Sequence, residues 1–325
     1  MPRHADRGLL ISLLVVILLI VLWYISTSWK YRNTLFSPSR MSQGELSTPD
    51  EYGGRLVPKR EFQNVYIGSG DGYVHANVYN NYPDSNFVIF CHGNSGTIAD
   101  RGYMVELTQL IRLNLIVFDY RGFGESKGTM NEKTILEDAE SVYKYTRFCD
   151  VDVNRIILWG ESLGGSPAVH LARNHPCLKL VLMFAFASLR DVAIYSEIPD
   201  YLRSAITTFL LNSRRNLPNK VWIRDVNVPV LIIHSVDDDM VNIENAKILY
   251  DSIRHHRKTI LYIKGAHSNP EIDAEAFKFM SVFLQARNEE PFLATDSEIE
   301  KMDRVLKYYN VENNKVLTED NNTIS

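Results

Sequence analysis

Cysteine is scarce in this sequence, and none of it is paired at metal-binding spacing. Among 325 residues there are three, Cys91, Cys149 and Cys177. So small and odd a number is not a disulfide framework. Without a C-x-x-C pair, a zinc site is not expected either. All three sit in or beside apolar runs and read as small core residues. An excess of charge is also missing. A net charge of −4 offers nothing to attract a nucleic acid. Internal repeats and low-complexity tracts are absent. The rest is ordinary globular composition, 45% hydrophobic and 23% charged. That is enough for one large core in a catalytic domain of about 250 residues.

One local absence is informative. No Asp, Glu, Lys or Arg occurs between Gly8 and Trp29, and the centre reads LLISLLVVILLIVLWYIS from Leu9 to Ser26. A helix needs about 20 apolar residues to cross a bilayer. A cleavable signal peptide competes, but its apolar region is usually about 7–15 residues and ends in a small-x-small site. Here Trp23, Tyr24 and Trp29 lie at the far edge, where aromatic side chains favour the lipid–water interface. A buried core helix would normally show a polar face. Residues 1–29 therefore read as a tail and an uncleaved, single-pass signal-anchor. Arg3 and Arg7 on one side nearly balance Lys30, Arg32 and Arg40 on the other, so orientation stays open.

Residues 30–60, rich in Ser, Pro, Gly and Arg, read as a linker laid over the body. Residues 61–288 read as the catalytic domain. Residues 289–325 read as a short helical pattern and a polar tail with little to bury, expected to be disordered. The N-x-T sequon at Asn321 lies in that tail and does not decide topology.

Within the body, alternating runs flank Gly70-Asp71-Gly72 and predict a β-hairpin. Strands and helices then alternate. NFVIFCH, LIVFD, RIILW, LKLVLMF, VPVLIIH and KTILYI are expected strands. Helices are expected over 99–112, 132–148, 163–173, about 243–254 and about 271–286. Short buried strands between amphipathic helices imply an α/β fold with a mostly parallel sheet covered on both faces. In such sheets chemistry gathers beyond the carboxyl ends of the strands.

Gly160-Glu161-Ser162-Leu163-Gly164 fits a G-x-S-x-G nucleophile elbow. RIILW stands before it and a helical pattern after it, the setting such an elbow needs. Gly124-Glu125-Ser126-Lys127-Gly128 fits the same pattern but has no helix directly behind it. It reads as a glycine-rich loop, and Ser162 is the expected nucleophile. A serine hydroxyl needs a base. His267 follows the last expected strand, at the carboxyl edge. His255 and His256 lie at that strand's other end, and His234 precedes the acid candidates. The acid comes from Asp237-Asp238-Asp239, which follows VPVLIIHS. A calcium loop would want alternating ligands and a central Gly, which this run lacks. The expected oxyanion donors are the backbone N–H groups of Leu163 and of Asn94, with Gly93 second to Asn94. His92 reads as a brace for that loop.

His92-Gly93-Asn94, Asp119-Tyr120-Arg121-Gly122-Phe123-Gly124-x-Ser126, Gly160 to Gly165, Val236-Asp237-Asp238 and Gly265-Ala266-His267 stand in the order of the α/β-hydrolase superfamily. The combination most resembles single-pass, membrane-anchored α/β-hydrolase-domain proteins of the bud-emergence-homologue type, which group with serine aminopeptidase-like domains. The resemblance covers about residues 30–285. It selects Asp238 as the acid, matching the family's H-G-x-x-D-x-x-V-P loop. Ser235 stands where the family usually has Gly, and Asn242 where it has Pro. The resemblance implies hydrolysis of acyl esters or thioesters without fixing the substrate, with a membrane lipid or a lipidated protein among the candidates; no cofactor or metal is expected. A serine aminopeptidase, holding a free amine on Glu161 or Glu197, and a catalytically idle membrane-tethered binding protein are the alternatives.

Residues 185–227 are expected to form a short lid. Ile194, Tyr195, Ile198, Tyr201, Leu202, Ile206, Phe209 and Leu210 suggest an acyl groove. Arg203, Arg214, Arg215, Lys220 and Arg224 suggest a basic rim towards anionic lipid. Ordinary helix packing with a solvated basic face is the competing reading.

Overall fold

The computed structural model describes residues 62–195 and 216–285, together with Ser204 and Thr207. The expected membrane anchor, linker, C-terminal tail and central part of the lid, with Glu197, lie outside the described residues.

The Gly-Asp-Gly turn joins β1 (Gln63–Ser69) to β2 (Gly72–Tyr79) as an antiparallel hairpin, with Ser69 opposite Gly72. Five strands then run parallel to one another from end to end of their own block: β4 (Asn114–Asp119), β3 (Phe87–Cys91), β5 (Ile156–Glu161), β6 (Lys179–Met183) and β7 (Val230–Ser235). They are followed by β8 (Lys258–Ala266), parallel to β7, and β9 (Asn269–Glu271), antiparallel to β8. The order across the sheet is β1-β2-β4-β3-β5-β6-β7-β8-β9.

Every residue of β3, β4, β6 and β7 is buried, as a parallel sheet covered on both faces requires. Side chains alternate between the faces. Val88, Phe90, Leu115, Val117, Ile157, Trp159, Val181, Leu231 and Ile233 form one face. It packs on Met104 and Leu107 of α1 (Gly102–Leu110) and on Ala276, Phe277, Met280 and Leu284 of α7 (Ala274–Gln285). The other face meets α2 (Thr134–Phe148), α3 (Gly165–Asn174) and α6 (Glu244–Ser252). Among the described residues, the short helices α4 (Leu189–Tyr195) and α5 (Asn219–Trp222) lie between β6 and β7 in the chain. The carbonyls at the end of α7 are tied down by side chains from the sheet. Asn86 Nδ2 donates to Leu284 C=O at 2.8 Å, and Lys179 Nζ donates to Phe283 C=O. These bonds satisfy carbonyls that a helix end leaves free.

One stretch departs from the sequence reading. The strand expected to end at Ile263 continues to Ala266, β9 follows, and the helix starts only at Ala274. Lys264-Gly265-Ala266 carries no apolar pattern. Its strand form comes from backbone pairing with β9, with Lys264 opposite Glu271. Asp273 then starts the helix, accepting the Ala276 N–H at 2.8 Å, as an N-cap does.

Candidate active site

Ser162 begins a tight turn between β5 and α3. Its φ is +51°, a left-handed conformation that costs a non-glycine residue of order 1–3 kcal/mol. The turn is close-packed. A Cβ on Gly160 would come within 2.4 Å of Gly164 C=O, and one on Gly164 within 1.9 Å of Cys91 C=O. Glycine at both places lets the turn sit against the end of β3.

His267 occupies the tip of the β8–β9 hairpin. Its Nε2 lies 3.0 Å from Ser162 Oγ and its Nδ1 lies 2.8 Å from Asp238 Oδ2. The Asp238 side chain is fully buried, and the His267 side chain is 11% exposed. Burial alone would raise the Asp238 pKa. The hydrogen bond and charge of His267, with the N–H groups of Val241 and Met240, outweigh it and hold the carboxyl below its ordinary value. An ionised carboxylate only accepts, so Nδ1 carries the proton. Nε2 is then the lone pair facing the serine hydroxyl, which is the polarity a general base needs. The structure thus joins Ser162, His267 and Asp238 in one hydrogen-bonded series.

The neighbouring acids hold the histidine's backbone. Asp239 Oδ1 accepts the His267 N–H at 3.1 Å, and Asp237 Oδ2 lies 3.4 Å from the Gly265 nitrogen. His234, buried at the end of β7, donates from Nε2 to Val241 C=O at 2.7 Å. Burial lowers its pKa, so it serves the acid loop as a neutral donor. Phe184, just beyond β6 and also at positive φ, packs its ring against His267 at 5.5 Å. The sequence does not single out Phe184, and it offers His234 only as a rival base. Both sit at strand ends on the edge where Ser162 lies, and that position is the signal that could have found them.

Leu163 is buried directly behind Ser162. Gly93 lies against the serine: a Cβ there would be 3.5 Å from Ser162 Cβ and 3.3 Å from Glu161 Oε1. Asn94 follows it, half-buried. His92 is fully buried and donates from Nδ1 to Gly93 C=O at 2.7 Å, while Tyr120 donates its hydroxyl to His92 C=O at 3.0 Å. Burial first, then the Arg101 charge, pushes its pKa down to about 3. A permanently neutral, enclosed imidazole braces the loop.

Ser126 has a different setting. It is 5% exposed, its Oγ donates to Asp119 C=O at 2.6 Å, and it accepts the His75 N–H at 2.8 Å. Of the expected basic rim, Lys220 pairs its Nζ with Asp191 at 2.7 Å, and Arg203, Arg214 and Arg215 lie outside the described residues. Arg224 is exposed. Glu161 accepts the Tyr103 hydroxyl at Oε2. Asn242, in place of the family's Pro, accepts the Glu244 N–H at 3.0 Å and starts α6. Among the described residues no group of three or more His, Cys, Asp or Glu is placed to hold a metal ion.

A profile of the alpha/beta hydrolase fold matches residues 86–198. YfhR of Salmonella typhi is 31% identical over 208 residues, which span 61% of this chain and 68% of the relative. The alpha/beta hydrolase domain-containing protein WAV2 of Arabidopsis thaliana is 29% identical over 204 residues, 58% of this chain and 66% of the relative. The chain belongs to the α/β-hydrolase superfamily. An α/β-hydrolase sheet also superposes on it from the esterase Pf2001 of Pyrococcus furiosus. The TM-score is 0.54 and the match covers 71% of this chain and 88% of that one. At 19% identity the esterase speaks for the α/β-hydrolase fold alone.

Proposed function

We propose that this α/β-hydrolase is a membrane-anchored serine hydrolase that cleaves acyl esters or thioesters through an acyl-enzyme on Ser162. The observation that carries this reading is the series Ser162–His267–Asp238, with contacts of 3.0 and 2.8 Å. Ser162 Oγ attacks the acyl carbonyl as His267 Nε2 takes its proton. Asp238 keeps the ring's orientation and stabilises the imidazolium. The N–H groups of Leu163 and of the loop at Gly93-Asn94 receive the oxyanion. Collapse expels the alcohol or thiol, which takes the proton from His267. Water, deprotonated by the same Nε2, then releases the acid and restores the serine.

The apolar run from Leu9 to Ser26 supports a tether that keeps this chemistry near a bilayer, where lipids and lipidated proteins present acyl groups. The series of hydrogen bonds favours an enzyme over an idle binding protein. The aminopeptidase reading is weakened because Glu161 already accepts from Tyr103.

A fluorophosphonate probe tests the nucleophile. Wild type should label, Ser162→Ala should not, and Ser126→Ala should label once folded. Labelling of Ser162→Ala, or silence from folded wild type, would overturn the reading. Acyl esters, acyl thioesters and aminoacyl amides, compared on the labelled protein, separate the substrate classes. Release of the protein from membranes by carbonate would remove the anchor from the proposal.

A further inference from the structure

Ser235 is the last residue of β7 and is fully buried. Where the family's pattern has Gly, this chain carries a hydroxyl with two backbone partners. Its Oγ donates to Gly265 C=O and accepts the Asp237 N–H at 3.1 Å. Gly265 precedes His267 by two residues, and Asp237 precedes Asp238 by one. One buried hydroxyl therefore joins the loop that holds the acid to the loop that holds the base. The strands beneath are already in register, with Ser235 opposite Ile263 and the Val236 N–H bonded to Ile263 C=O at 2.9 Å. Beyond that point the two backbones diverge. Gly265 turns at φ +92°, and His267 stands past the end of the strand pairing.

What keeps His267 facing Asp238 beyond this divergence is a set of side-chain-to-backbone bonds. Ser235 is the buried one. Asp239, accepting the His267 N–H, is exposed and shares its charge with water. A buried hydrogen bond has no competing water and is the more rigid restraint. A glycine at 235 would remove the buried restraint and leave the loops to the exposed Asp239 and Asp237 bonds and the Asp238–His267 pair, so the reacting geometry would carry more of the strain.

We infer that Ser235 is a positioning residue that fixes the base loop on the acid loop and so holds the His267 imidazole on Ser162. The inference rests on the proposed serine chemistry. Its signature is a change in turnover with little change in substrate binding, since Ser235 is buried behind the acid loop. Misplacement of a catalytic group by a fraction of an ångström up to about 1 Å costs roughly tenfold to a hundredfold in rate.

The test uses the full chain in detergent and p-nitrophenyl butyrate, with active sites counted by fluorophosphonate titration. Ser235→Ala and Ser235→Gly should lower kcat per titrated site about tenfold, with KM within about twofold of wild type. Ser235→Thr, which keeps the hydroxyl, should recover most of the turnover. Unchanged kcat per site in Ala and Gly would overturn the inference. So would a Thr variant as slow as Ala, because the hydroxyl would then not be the cause. A wild type that neither labels nor turns over would instead remove the serine chemistry on which the inference rests. Should Ser235→Ala not fold, Asp239→Ala at the exposed anchor of the same loop serves. It should lower kcat per site severalfold with KM unchanged, and no change there would overturn the loop-anchoring argument.

Discussion

Gly124–Gly128 and Gly160–Gly164 carry the same G-E-S-x-G letters, yet their serines do different work. Ser162 follows a strand, is forced to φ +51°, and presents its hydroxyl to His267. Ser126 follows a turn and spends its hydroxyl on two backbone groups, Asp119 C=O and the His75 N–H. The carboxyls near the two serines are opposites as well. Asp238 is held below the ordinary carboxyl range, while burial pushes Asp119 up to about 8. A pentapeptide states which atoms are present. The elements on either side decide whether the hydroxyl is strained and free to react or saturated and structural.

The largest effect expected from breaking this comparison is on activity. Ser162→Ala should lower ester hydrolysis by at least about 10³-fold, while Ser126→Ala should leave turnover per folded molecule within about twofold. Steady-state kinetics corrected for folded fraction check both.

The next effect is on the pH dependence of stability. Asp119, at about 8 when folded, keeps a proton that the unfolded chain gives up near pH 4. Stability from this group therefore falls as pH rises from about 4 to about 8 and is level above that, by of order several kcal/mol. Burial is why the proton stays: it outweighs the Ile98 N–H bond to Asp119 Oδ1 at 2.9 Å and the Arg101 charge, which favour the ionised form. Asp119→Asn should flatten that slope in urea unfolding series. Asp238 has the opposite sign: its contribution is present above about pH 4 and lost on acidification below it. Asp238→Asn should flatten the acid limb instead. If both variants leave the profile unchanged, the contrast between the carboxyls fails.

A smaller effect separates the serines by stability. Ser126→Ala leaves a buried N–H and a buried C=O without that partner and should cost about 1–3 kcal/mol. Smallest of all, Ser162→Gly should stabilise the fold by up to about 1 kcal/mol through relief of the left-handed strain. Denaturant midpoints distinguish the signs, and a loss of stability in Ser162→Gly would argue against stored strain at the turn.

Much of this arrangement was legible in the sequence. Continuous apolar runs such as NFVIFCH and VPVLIIH marked β3 and β7 because a strand buried on both faces leaves no polar position. Strand ends placed Ser162, His267 and the run Asp237-Asp238-Asp239 without distances, and the family resemblance picked Asp238 from that run. What escaped was held by polar bonds that leave no periodic trace. The extension of β8 to Ala266 and all of β9 rest on backbone pairing. The Ser126 hydroxyl is consumed by groups 7 and 51 residues away in sequence. Lys220 looked like a free cation because its partner Asp191 lies 29 residues earlier. Composition cannot announce a partner that only the folded chain brings near.

The β8–β9 hairpin also has a bearing on when this protein can act. His267 enters 105 residues after Ser162, on the far edge of the sheet, next to the helix that closes the core. A chain still emerging from the ribosome would hold a formed elbow with no imidazole beside it. On the proposed chemistry, Ser162 would lack its base until almost the whole body had been synthesised and its last edge paired, so a partly made molecule would carry no working hydrogen-bonded series.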